Sequence, residues 1–408
     1  MRSELLVAGK ARATTYALHR TIDGVRSPIP LYEVDVDGAI VHRANLHPVD
    51  PFGHWVEPLD DAIDGGFYEA DPDDFSPTGH FDLPWFLRDL RPDGYLGRAW
   101  LRAHPDEGYP HVLSTWSGDH VLRFATMHGA DLPGAWMLGA AMRNRVAHDE
   151  VVRGEEVPAP ELDAVLPALA DRVVASGPRG SSPGGEQPKL AVRTRSDDEV
   201  VSWIVKFTAP LRTEAGRRWG DLLVAEHLAH VVLEQQGIAS CESRIVDSGG
   251  RRFLQVRRFD RHGARGRSGL VSLLQLDREG VASDLRRWGL VTEELVRQRR
   301  LSKADHETTL WLEAFGQAIA NTDMHLGNLS VLLDGTTITG LAPVYDMLPM
   351  AYRPTAGGEV VPGMREVTVP RGAPPSALEA ARELWRRVSV DERVSEEFRA
   401  IARTHAEA

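Results

Sequence analysis

The chain of 408 residues carries a single cysteine, Cys241, which excludes an intrachain disulfide and any multi-cysteine zinc site. It also lacks the roughly eighteen uninterrupted apolar residues of a membrane span, and its amino end offers only the short run Leu5-Leu6-Val7-Ala8. A cytoplasmic protein without a membrane partner is the expectation. Positive charge is in deficit, with 47 Lys and Arg against 59 Asp and Glu, a net charge of -12 and a pI near 5.7. That balance argues against a general nucleic-acid surface and leaves only local pairs such as Arg286-Arg287 and Arg299-Arg300. There is no internal repeat and no low-complexity tract. The Gly-rich stretch Ser181 to Lys189 lacks Walker spacing, which disfavours a P-loop nucleotidase.

What is present is ordinary globular composition, 42% hydrophobic and 26% charged, with length enough for two or three domains. Lys10 to Leu18 reads as one basic, Thr-rich strand with nothing before it to pair with. The alternation from Pro30 to Val41 fits a hairpin around Asp37-Gly38. Helical stretches follow between Trp85 and Leu101 and from Asp119 to Met127, and turn chemistry at Gly129 to Ala135 leads into a strand. His148 to Pro160 is acidic and Pro-containing, reads as a connector, and marks a boundary. Glu161 to Val174 is a helix with Leu162, Val165, Leu166, Leu169 and Val173 on one face. Two strands, Leu190 to Val192 and Val201 to Phe207, precede a long helix from Trp219 to Gln236 that stops at Gly237. Another strand spans Phe253 to Phe259. From Leu273 the chain is mainly helical, with a capping box at Ser302 to Asp305 opening a helix whose apolar face is Trp311, Ala314, Phe315, Ala318 and Ile319. Pro354 to Pro375 has no period, and Ser376 to His405 is again helical. Cys241, after the long helix, reads as a small buried hydrophobe.

Chemistry concentrates in Asn321-Thr322-Asp323-Met324-His325-Leu326-Gly327-Asn328. An Asp and an Asn at this spacing suit phosphoryl transfer, where the Asp accepts the proton of the attacking hydroxyl and the Asn holds Mg²⁺. The same residues are also favoured in plain turns. A second carboxylate would have to complete the metal site. Asp346 is the candidate, because Leu329 to Leu333, the turn Asp334-Gly335 and Thr336 to Leu341 form a hairpin that returns the chain to its start. Lys206 lies mid-strand, where a charge facing inward needs an anionic partner such as ATP phosphate; facing outward it needs none. Glu226 on the following helix is placed to orient Lys206, or else is solvated. His325 reads as a support of its loop, since one His makes no metal site.

Taken in order, Ser182-Pro183-Gly184-Gly185-Glu186-Gln187-Pro188-Lys189, Arg258-Phe259-Asp260-Arg261, Asn321 to Asn328 and Tyr345-Asp346 resemble the HipA-like serine/threonine kinases, toxins of bacterial toxin-antitoxin systems, and within them the YjjJ-like branch. The resemblance covers most of the chain. It implies an α+β, two-lobed, protein-kinase-like fold with a mixed α/β amino lobe and a mainly α-helical carboxyl lobe. It implies Asp323 as the catalytic Asp, Asn328 and Asp346 as Mg²⁺ ligands, and Lys206 as the ATP-phosphate Lys. It further implies Gly184, Gly185, Glu186, Gln187 and Lys189 as a phosphate loop, Arg257, Arg258 and Phe259 as an adenine-side hinge, and His325 beside the nucleotide. Ser182, with Ser181 as alternative, falls where family members autophosphorylate, which ejects the loop. Partners implied are a protein substrate, an aminoacyl-tRNA synthetase among the family's targets, and a small helix-turn-helix antitoxin. The branch usually carries a winged helix, whose last strand residues 1–18 resemble, so DNA is expected only indirectly or through that domain. Residues 19–150 then form the amino-terminal subdomain, 151–257 the nucleotide-binding part, and 258–408 the catalytic lobe. Two other readings stand beside this one: a silent kinase-fold regulator and a small-molecule kinase.

Overall fold

The computed structural model describes residues 5–8, 15–50, 53–68, 83–148, 155–175, 187–197, 199–277, 287–367, 369 and 371–407. Two short strands, β1 (Leu5–Ala8) and β2 (Thr15–Leu18), pair antiparallel with Leu5 opposite Leu18. The strand expected to stand alone therefore has a partner, the apolar run at the amino end. Alternation around Asp37-Gly38 produces the expected hairpin, β3 (Ile29–Val34) and β4 (Ile40–Val49). With β5 (Gly53–Pro58), β6 (Gly66–Tyr68) and a later strand they make a five-stranded sheet. Helices α1 (Gly94–Ala103) and α2 (Gly118–His128) follow, the second capped by Ser117 and His120. Then β7 (Trp136–Leu138) joins the sheet beside β3, and α3 (Ala140–Ala147) closes this part.

The acidic stretch expected to be a connector is partly a strand. β8 (Glu155–Pro158) lies parallel to β9 (Lys189–Arg195) at a sheet edge, where Pro158 removes no needed ladder bond, and Glu156 pairs with Arg193 and Arg195. Between them runs α4 (Leu162–Ala175). The sheet continues with β10 (Val200–Phe207), β11 (Ser243–Ser248) and β12 (Arg251–Arg257) in the order β11-β12-β10-β9-β8. Leu162, Leu166 and Leu169 of α4 form a core with Trp203, Val205 and Phe207 of β10. Because side chains alternate along a strand, Lys206 is sent to the opposite face. That face is covered by α5 (Glu214–Gln235), which begins at the Thr213 cap, before the expected Trp219, and ends against Gly237 in the left-handed region, φ 74°.

The carboxyl part opens with the small pair β13 (Arg261–His262) and β14 (Gly266–Arg267), then β15 (Gly269–Ser272) and α6 (Leu273–Leu276). Helices α7 (Trp288–Arg297) and α8 (Lys303–Ala318) follow, with Ser302 Oγ accepting the Asp305 N–H at 3.0 Å. The expected hairpin is β16 (Ser330–Asp334) with β17 (Thr337–Leu341), and β15 pairs with its first strand. Its turn needs Gly335, at φ 58°, where a Cβ would also meet the Ala62 carbonyl at 2.2 Å. Helices α9 (Pro375–Val390) and α10 (Glu396–Glu407) end the chain, burying Leu384, Trp385 and Phe398 with Phe315 of α8. The fold is α+β, with a mixed amino lobe and a mainly helical carboxyl lobe.

Candidate functional site

Helix α8 delivers the central loop. Two residues beyond its end Ala320 sits at φ 61°, and the Asn321 N–H returns to the Gly316 carbonyl at 2.8 Å. The Asn321 side chain then serves two segments: Oδ1 accepts the Asp323 N–H at 3.0 Å, and Nδ2 donates to the Asp346 carbonyl at 3.3 Å. Asn328 closes the same loop by donating from Nδ2 to the Asp323 carbonyl at 2.7 Å. Its Oδ1 has no hydrogen bond among the described residues and remains available as an acceptor. His325 keeps to its expected supporting place, with Nδ1 accepting the Gly327 N–H at 3.1 Å and its carbonyl receiving Trp288 Nε1–H at 2.9 Å. The Asp323 carboxylate, half-buried, makes no hydrogen bond among the described residues.

Asp346 reaches this loop because the strand-like segment before it is stitched to the end of the neighbouring lobe. Cys241 N–H donates to the Val344 carbonyl at 3.0 Å, and Val344 N–H to the Ala239 carbonyl at 2.9 Å. The Tyr345 hydroxyl donates to the Gly327 carbonyl at 3.0 Å and contacts Ser330 Oγ at 2.8 Å, tying the two segments together. Asp346 itself sits at φ 53°, a conformation that an Asp tolerates better than most residues.

Across from it, Lys206 Nζ donates to Glu226 Oε1 at 2.5 Å and to Asp346 Oδ1. An ammonium has three N–H groups, so one remains for a further acceptor. Burial alone would push Lys206 down, and the Asp346 and Glu226 charges together raise it above its usual value. Burial likewise opposes ionisation of Asp346, yet Lys206 and then Lys189 hold it well below the ordinary carboxylate range. Glu226, wholly buried on α5, is pushed upward by burial against the pull of Lys206. Lys189 lies directly opposite Lys206 on β9, so two cations flank one carboxylate. Gln187 Nε2 donates to the Phe207 carbonyl at 3.1 Å, pinning the chain just before β9. Ser181, Ser182, Gly184, Gly185 and Glu186 lie outside the described residues.

Arg257, Arg258 and Phe259 line a cavity of about 260 Å³ together with Ser240, Cys241 and Glu242. Their side chains differ in availability. Arg257 pairs at the surface with Glu199 and Glu242. Arg258 is committed to Asp131 at 2.9 Å and Asp260 at 3.0 Å, in a buried cluster shared with Arg261, and its backbone N–H donates to the Ser202 carbonyl at 2.9 Å. Phe259 stacks near Tyr345, ring centroids 6.1 Å apart. Burial pushes the Cys241 thiol up to about 12, which suits the inert hydrophobe expected of it.

Two features of the site were not anticipated from the sequence. Gly316 in the last turn of α8 admits Met324 and Met347, neighbours of Asp323 and Asp346: a Cβ there would meet their sulfurs at 2.4 and 3.3 Å. The Tyr345 bridge is the second, since a hydroxyl's partner eighteen residues away leaves no local pattern. Among the described residues no three His, Cys, Asp or Glu converge on a metal-sized site. A cation at Asn328 and Asp346 would therefore complete its shell with phosphate and water oxygens, as Mg²⁺ usually does, and the chemistry of an amide oxygen with no hydrogen bond among the described residues and of an ionised Asp346 fits that use.

Comparison with known proteins places these residues in context. A family model described as the YjjJ-like toxin, middle domain, matches residues 25–147, and one described as the HipA-like C-terminal domain matches residues 181–407. The curated "Toxin YjjJ" of Escherichia coli (strain K12) is 35% identical over 400 residues, spanning 97% of this chain and 86% of that protein. A solved chain from the Shewanella oneidensis MR-1 toxin-antitoxin complex of HipA, HipB and its operator DNA superposes with a TM-score of 0.54. It is 15% identical and the match covers 93% of this chain and 95% of that one, a likeness of fold.

Proposed function

From a chain that belongs to the YjjJ-like toxins with a HipA-like C-terminal domain, we propose an ATP- and Mg²⁺-dependent serine/threonine protein kinase. The observation that carries this reading is the clamp of Lys206 between Glu226 and Asp346, set beside the Asp323 to Asn328 loop. A buried ammonium with one N–H to spare, backed by Lys189, is suited to triphosphate oxygens. Asp323, unencumbered among the described residues, accepts the proton of the substrate hydroxyl as its oxygen attacks the γ-phosphorus and the bond to the ADP oxygen breaks. Asn328 and Asp346 would hold Mg²⁺, which when bound neutralises phosphate charge. The cavity at Arg257 to Phe259 has room for a purine, with Phe259 offering a ring face.

The substrate under this reading is a cytoplasmic protein, an aminoacyl-tRNA synthetase being the candidate that the family suggests. No helix among the described residues is long and apolar enough to cross a membrane. A small helix-turn-helix antitoxin is the proposed partner, as HipB accompanies HipA in the Shewanella complex, and DNA would be met through that partner. Incubation with γ-labelled ATP tests the function. Label on protein, abolished in Asp323→Asn without loss of folding, supports it; label on a small metabolite or none at all overturns it. Self-phosphorylation is proposed at Ser182, with Ser181 as alternative, since a phosphate bringing about -1.5 to -2 charge would repel the nucleotide's own phosphates. Mass spectrometry after incubation with Mg²⁺-ATP checks it: absence of phosphate at both serines refutes it.

A further inference from the structure

Helix α5, which packs against β11 and β12, carries Leu223, Glu226, His227 and His230 at a spacing that keeps them on one helical face. Ser243, the first residue of β11, receives two of them. His227 Nδ1 lies 3.0 Å from Ser243 Oγ and His230 Nδ1 lies 2.9 Å from it. A hydroxyl has one proton and two lone pairs, and among the described residues Ser243 Oγ has no other acceptor for that proton, so it donates to one imidazole and accepts from the other. The two rings must therefore be opposite tautomers.

Which ring is which follows from what lies farther along the helix. His230 Nε2 and Glu226 Oε2 are both buried, and neither has a hydrogen-bond partner among the described residues. They belong to side chains one helical turn apart, and buried polar atoms of native proteins are normally paired, directly or through an internal water. A carboxylate oxygen can only accept. We propose that His230 is a positioning residue, donating from Nε2–H through one buried water to Glu226 Oε2, while its Nδ1 accepts the Ser243 hydroxyl proton. His227 is then the Nδ1–H tautomer, donating to Ser243 Oγ. The chain runs in one direction, from half-buried His227 through Ser243 and His230 to Glu226, whose other oxygen receives Lys206.

Its consequence lies at Lys206. A Glu226 carboxylate held at both oxygens cannot rotate, so the ammonium stays centred between Glu226 and Asp346. Released from His230, the carboxylate turns, Lys206 moves onto Asp346, and the oxygen proposed for Mg²⁺ is neutralised. This role rests on the reading of Lys206 and Asp346 as a nucleotide and metal site, whereas the tautomers do not.

The test uses the full chain with ¹⁵N-labelled histidine. Long-range ¹H–¹⁵N spectra without nucleotide should show His230 protonated at Nε2 and His227 at Nδ1, and Ser243→Ala should release His227 to the Nε2–H form. Calorimetric titration with Mg²⁺-ATP then separates two variants. His230→Gln keeps a donor at the reach of Nε2 and should bind nearly as the wild type does; His230→Leu should bind about tenfold more weakly, the lower range of supporting-shell losses at metal sites, while melting together with the Gln variant. A His230 protonated at Nδ1 overturns the relay, and so does equal binding by the Leu and Gln variants. Failure of the wild type to bind Mg²⁺-ATP overturns the nucleotide reading and the positioning role with it, an outcome distinguishable from wild-type binding that is indifferent to His230.

Discussion

Replacing Lys206 by Met should destabilise the protein in a way that removal of a second charge repairs. Removing one partner of a buried ion pair costs about 3–5 kcal/mol, because the other charge is left uncompensated. Here the two carboxylates share that burden unequally: the Glu226 side chain is 1% exposed, while that of Asp346 is 31% exposed and partly solvated. Most of the cost falls on Glu226, and the lower end, about 3 kcal/mol, is the reasoned figure. With unfolding entropy of about 2.1 cal/mol/K per residue, 408 residues melting together give about 0.86 kcal/mol/K, so Tm should fall by about 3–4 °C. Lys206→Met with Glu226→Gln removes the stranded charge and should return to within about 1 °C of wild type. Neither variant should transfer phosphate. The deficit of the single variant should also shrink at pH 5: a carboxylate whose folded pKa is raised is disfavoured above its unfolded value, and the penalty fades as it takes a proton. Circular dichroism melts at pH 7 and pH 5 are the assay. A double variant no more stable than the single one would refute the clamp.

Gly316→Ala should displace Met324 and Met347, at a cost of about 1–3 kcal/mol for overpacking, and should lower phosphotransfer more than stability because both loops carry site residues. Thermal melts beside a label-transfer assay read the two effects, and full activity would show that the methionines yield freely. Acid should weaken the fold through His230, which burial and then the Lys206 charge lower from 6.5 to about 3. The unfolded chain binds a proton below about 6.5 that the folded one refuses, so stability falls from there toward pH 3 by up to about 1.4 kcal/mol per unit for this group. Asp346 acts in the same direction only lower, its contribution being present above the unfolded value and lost as pH falls through its depressed folded one. His230→Gln should thus flatten the decline in Tm between pH 6.5 and 5, by about 1.6 °C per unit at most, and an unchanged slope would refute the neutral, buried ring.

How far the sequence made this legible depended on whether a residue's partner was local. The β16–β17 hairpin, the Gly237 stop and the Ser302 cap were readable because turn and cap residues act within a few positions. Lys206 with Glu226 was readable as a possibility only, because a strand Lys and a helix Glu are most often solvated. What decided it was the alternation of Trp203, Val205 and Phe207 toward α4, which turns Lys206 toward α5. β8 was missed because four residues with a proline and two glutamates show no period, and its stability comes from arginines on β9 and a parallel neighbour. The partner of β2 was missed because Leu5 to Ala8 is too short to signal a strand alone.

The site itself illustrates the limit more sharply, since each of its residues is fixed by the main chain of another. Asn321 amide atoms hold Asp323 and Asp346, Asn328 holds the Asp323 carbonyl, and Tyr345 holds Gly327. The two left-handed non-glycine residues here, Ala320 and Asp346, flank the Asn321 to Asp346 bond. Such conformations cost on the order of 1–3 kcal/mol and persist only where the surroundings overdetermine them. Gly in either place would relax the backbone. At Asp346 that relief would forfeit the carboxylate that meets Lys206, so the strain there is the counterpart of a charge that must point inward from a turn.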